Sequence, residues 1–122
     1  MKISILLPYK ENFSSIYAGA VSLFVKDTTK ISKFKKFITI YGNTNLKKIY
    51  KLNYKNIYLK KSIIQSGSKK YVDEFLRCEE ESPSDLIEIH NRPNYFHMIF
   101  DNKKNIKIVL YFHNDPLTMT GS

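Results

Sequence analysis

Two apolar runs in this chain end in the same polar signature. Leu86-Ile87-Glu88-Ile89 runs into His90-Asn91-Arg92-Pro93, and Ile108-Val109-Leu110-Tyr111-Phe112 runs into His113-Asn114-Asp115-Pro116. A segment of helical period, Pro93 to Phe100, lies between them. Apolar runs of this length read as buried strands, and strands that alternate with helices form a mainly parallel sheet. In such a sheet, ligands sit outside the carboxyl ends of the strands. The repeated ending predicts one site shared by two strand ends.

The rest of the chain extends the alternation. Ile3-Ser4-Ile5-Leu6-Leu7-Pro8 is a β-branched run closed by proline, and a loop follows from Tyr9 to Tyr17. From Ala18 the period becomes helical. Tyr17, Ala20, Val21, Phe24, Thr28 and Ile31 are expected on the core face, with Lys26, Asp27, Lys30 and Lys33 mainly opposite. Phe37 to Tyr41 reads as a second strand closed by Gly42-Asn43, and Asn56 to Leu59 as a short edge strand flanked by lysines. Lys69 to Glu81 carries Tyr71 or Val72, Phe75, Leu76 and Glu79 at helical spacing, and Ser82-Pro83-Ser84 ends that helix. The expected strands at Asp85 to His90 and Ile106 to Phe112 flank a helix that starts at Pro93.

At 122 residues the chain is expected to form a single domain with helices on both faces of one sheet. The net charge of +9 comes almost wholly from lysine, since Arg77 and Arg92 are the two arginines. Lysine without arginine is a poor match to base readout, so nucleic acid is not an expected partner. Tyr17, Phe24, Phe75, Phe96 and Phe112 stand at core-periodic positions, which points to packing rather than base stacking. Peripheral contact with an anionic membrane face stays open. Cys78 is the single cysteine, which excludes an internal disulfide and fits a reducing cytoplasm. No apolar run approaches the roughly 18 residues that span a bilayer.

His90 and His113 are the first chemical candidates, because imidazole changes charge near neutral pH and can both donate and accept. The competing reading of each is a loop cap, and the duplicated context favours function. Glu88 shares a strand face with Leu86 and His90, where a carboxylate needs a partner; Arg92 is the expected one. Asn91, Asn114 and Asp115 read equally well as turn residues. Gly19 permits close backbone approach at the start of the first helix, where N–H groups favour anions. No dinucleotide fingerprint, Walker loop or nucleophile elbow is present, and no ligand spacing marks a metal site.

Taken in order, Ile5-Leu6-Leu7-Pro8-Tyr9, Tyr17-Ala18-Gly19-Ala20-Val21, Glu88 to Pro93 and Tyr111 to Pro116 resemble the amino-terminal domain of family-four GT-B glycosyltransferases. The resemblance implies a Rossmann-like three-layer α/β/α domain, the acceptor-side half of a retaining, metal-independent enzyme that takes a nucleotide-sugar donor and needs no other cofactor. It implies that Gly19 and Ala20 approach the donor phosphates and that His113 is catalytic, beside the transferred sugar and the acceptor hydroxyl. Tyr9, Glu88, His90, Asn91, Arg92, Asn114 and Asp115 would line the acceptor side, the acceptor being a sugar or lipid-linked sugar in polysaccharide or glycolipid assembly. The chain departs from the pattern in lacking the carboxyl-terminal nucleotide-sugar domain, so by itself it is expected to be inactive. In place of the usual double glycine it has Gly19-Ala20. The alternative is a stand-alone, non-catalytic α/β ligand-binding module.

Overall fold

β-Branched and aliphatic residues dominate four short runs of the chain, and the three central strands they form are mostly buried, while a fifth, polar strand of three residues pairs at one edge. In the computed structural model, which describes residues 1–17, 19–60, 66–102 and 105–113, these are β1 (Ile3–Leu6), β2 (Ile38–Gly42), β3 (Tyr54–Asn56), β4 (Leu86–His90) and β5 (Lys107–Tyr111). They pair in the order β3-β2-β1-β4-β5, and every pairing is parallel. β1 is central, with Ile3 opposite Ile38 on one side and Leu86 on the other. The expected edge strand is indeed at the edge, although it starts two residues earlier than the sequence suggests.

Three helices complete the layers: α1 (Ala20–Ile31), α2 (Gly67–Glu81) and α3 (Pro93–Asn102). On one face, Tyr71, Val72, Phe75 and Leu76 of α2 and Tyr95 and Ile99 of α3 pack on Leu6, Tyr41, Ile87 and Ile89. On the other, Val21 and Val25 of α1 join Phe13 over Ile3, Ile5, Leu7, Ile38 and Ile40. The β2–β3 connection has no helix; its own Ile49, Tyr50 and Leu52 pack against the core instead. The result is the Rossmann-like α/β/α sandwich that the alternation predicts.

Three features fix α2. Ser66 caps α2 by accepting from the Lys69 N–H. Tyr71, fully buried, donates its hydroxyl to the Leu7 carbonyl at 2.7 Å, which ties α2 to the carboxyl end of β1. Burial pushes that phenol well above its usual pKa, so it remains a donor. At the opposite end, the buried Glu79 carboxylate accepts from the Ser4 and Ser84 hydroxyls and the Ser84 N–H, with the Lys2 ammonium 3.8 Å away. A carboxylate is thereby accommodated at a core-facing helical position.

The face of α1 differs from the expected one. Its buried stripe is Val21, Ser22, Val25 and Thr29, while Phe24 is 41% exposed and Ile31 85%. Two of the four buried positions are polar, which hydrophobic periodicity cannot register. Tyr17 and Phe112 are likewise exposed, so among the five aromatics assigned to packing Phe75 is fully buried and Phe96 is partly buried against the same core.

Candidate functional site

β4 and β5 end side by side, His90 opposite Tyr111, and their alternation aims Glu88, His90 and Tyr111 at the α1 side of the sheet. There His90 is buried, its ring stacked on Tyr111 with centroids 4.8 Å apart and planes 2° from parallel. His90 Nδ1 lies 2.9 Å from His113 Nε2, and His90 Nε2 lies 3.4 Å from Glu88 Oε2. Phe24 of α1 meets the His113 ring edge to face at 4.9 Å. The two histidines from the repeated endings thus come together, joined in series to a carboxylate.

The order of the series sets the tautomers. A charged Glu88 favours hydrogen on His90 Nε2, so His90 Nδ1 must accept from His113 Nε2–H, and His113 Nδ1 then carries a lone pair. Burial chiefly, and the adjacent His90 next, hold the His113 pKa below its ordinary 6.5; the Glu11 carboxylate opposes them. His113 is therefore a neutral acceptor at pH 7. Glu88 and His90 lie in series, so their lone pairs do not converge with those of His113 on one point. No group of three or more His, Cys, Asp or Glu side chains among the described residues could hold a metal ion.

The neighbouring residues hold this pair in place. Asn91 sits in the left-handed region at φ 59°, which asparagine tolerates better than most residues. Its N–H donates to the Tyr111 carbonyl, and its side-chain oxygen accepts from the His113 N–H at 3.1 Å. Asn91 is thus committed to joining the two strand ends. Arg92 does not pair with Glu88 as expected: its guanidinium donates to the Asn91 carbonyl at 2.7 Å, and the carboxylate turns to His90. Asn114 and Asp115 lie outside the described residues, as does Ala18. A groove of about 140 Å³ descends from the site, lined by Phe24, Thr28, Thr29, Glu88, His90 and Tyr111 among others.

Gly19 and Ala20 do open a helix, but the anion-binding end has an occupant. Glu11 Oε2 accepts the Ser22 N–H at 3.0 Å, and a Cβ on Gly19 would collide with that carboxylate. Glu11 stands where an external anion would sit on a helix amino terminus. Sequence reasoning missed it, because a lone glutamate in a loop carries no signal. Tyr9 points elsewhere, packing on Gly67 and Tyr71 on the far side of β1.

On that far side, the carboxyl ends of β1, β2 and β3 surround a second cavity of about 520 Å³. Tyr9, Lys10, Asn12, Asn43, Thr44, Asn45, Asn56, Tyr58 and Leu59 line it. Each asparagine alone reads as a turn residue. Their convergence comes from the topology, which places Asn12 in the loop after β1, Asn43 just after β2 and Asn56 at the end of β3 side by side.

Comparison with family models, curated proteins and solved structures returns no match.

Proposed function

We propose that this chain is the acceptor-side half of a retaining glycosyltransferase that uses a nucleotide-sugar donor. The observation that carries the reading is the Glu88–His90–His113 series, which ends in a neutral imidazole at the carboxyl edge of a parallel sheet. The likeness of the strand-end motifs to family-four GT-B enzymes names the reaction.

In that reaction the acceptor oxygen bonds to the anomeric carbon as the bond from that carbon to the diphosphate breaks. The electron pair and the acceptor proton depart with the nucleoside diphosphate. His113 accepts a hydrogen bond from a sugar hydroxyl through Nδ1 and so fixes the reacting partners, a contribution of orientation rather than nucleophilic attack. His90 and Glu88 are positioning residues that fix the tautomer in which that nitrogen carries the lone pair.

The test is hexose addition to a lipid-linked acceptor, read by mass spectrometry, using the native gene product and a set of nucleotide sugars. His113→Ala is expected to slow transfer about 100-fold or more, with circular dichroism showing the same fold. Undiminished transfer by a folded variant, or no transfer by the native protein from any donor, overturns the proposal.

A further inference from the structure

The cavity over β1, β2 and β3 takes no part in the histidine chemistry, and its lining is chemically distinctive. Among the described residues it holds four asparagines, a threonine, two tyrosines, a leucine and one lysine, and no carboxylate. Its volume of about 520 Å³ lies within the roughly 300–1,000 Å³ of small-molecule sites.

Its polar groups are held before any ligand arrives. Asn56 Oδ1 accepts from the Thr44 N–H and the Tyr54 hydroxyl, both at 2.7 Å, and its Nδ2 donates to the Thr44 carbonyl. Burial raises the Tyr54 pKa to about 12, which keeps that hydroxyl a donor. Asn43 donates through Nδ2 to the Ile57 carbonyl, and Asn12 accepts through Oδ1 from the Asn45 N–H. Among the described residues, the other halves of these two amides, the Asn43 acceptor and the Asn12 donors, have no partner. Neighbouring hydroxyls of a sugar ring present the matching donor and acceptor. Tyr58, 82% exposed at the rim, offers a ring face to sugar C–H groups. Lys10 is held in the left-handed region at φ 67° and is the one cationic side chain lining the cavity among the described residues.

We infer that this cavity binds a sugar bearing a single carboxylate, with Asn12 and Asn43 on the ring hydroxyls and Lys10 on the acid. The site lies wholly within this chain and stands independently of the glycosyltransferase reading.

The test is a ¹H–¹⁵N titration of the 122-residue protein with glucuronic acid, glucose and inorganic phosphate, following the asparagine side-chain amides. Glucuronic acid is expected to shift the Asn12, Asn43, Asn45 and Asn56 signals saturably. Glucose shifts the same signals about tenfold more weakly, the worth of one charge-assisted contact. Lys10→Met makes the two sugars equal at the wild-type unfolding temperature, and Asn43→Ala, which also gives up its bond to the Ile57 carbonyl, weakens both while keeping a folded spectrum. No shift with either sugar, equal shifts with phosphate, or shifts confined to Tyr111 and His113 overturns the assignment. None of these outcomes bears on the transfer assay of His113→Ala, so the two proposals fail separately.

Discussion

At His113, burial and the facing His90 disfavour the proton, and Glu11 favours it. Removing the Glu11 charge should therefore lower the titration point further. Glu11→Gln is expected to move it down, read from the ring proton shifts against pH; an upward move refutes the electrostatic assignment. The same depression links to stability. The folded pKa lies below the unfolded 6.5, so the contribution is fully present above pH 6.5. It is lost as pH falls from there toward the depressed value, because the unfolded chain takes up a proton that the folded chain resists. His113→Asn should thus narrow the gap between the unfolding temperatures at pH 7 and pH 5. These effects were only partly legible in the sequence. The two histidines could be paired from their matching contexts, but Glu11 is near them only because the β1–α1 loop folds back over the helix amino terminus.

Among the elements, α2 is the most strongly anchored, by Phe75 in the core and by Tyr71 at the strand end. Tyr71→Phe keeps the ring and loses the bond to Leu7, an expected cost of about 1 kcal/mol. Phe75→Ala should cost about 3–5 kcal/mol through lost burial and the cavity left behind. Urea unfolding checks both, and equal losses would contradict the distinction. The face of α2 could be read in advance, Glu79 included, because its apolar residues recur cleanly at helical spacing. That of α1 could not. Ser22 and Thr29 are buried while Phe24 leans out to the histidines, so the contact that matters for the site is the one periodicity assigned to packing.

On the scale of the whole molecule, the element order was legible because proline, glycine and serine close the runs. What one-dimensional reading could not supply was adjacency across the sheet. Asn12, Asn43 and Asn56 meet only because β1, β2 and β3 are neighbours, and the loop after β1 gives Glu11 to one side and Tyr9, Lys10 and Asn12 to the other.

The central position of β1 also has a consequence in time. Of the five strands β1 is made first and β2 can pair one of its flanks early, while the other flank waits for β4, which follows α2. The nascent molecule must carry Ile3 and Ile5 with half their hydrogen-bond ladder open until β4 has emerged. Such long-separation pairing slows folding and exposes strand edges to aggregation. A nascent chain arrested at Asp85 should leave the β1 amides open to hydrogen exchange, and one arrested beyond Tyr111 should protect them; equal protection in both would show that β1 does not depend on its late partner.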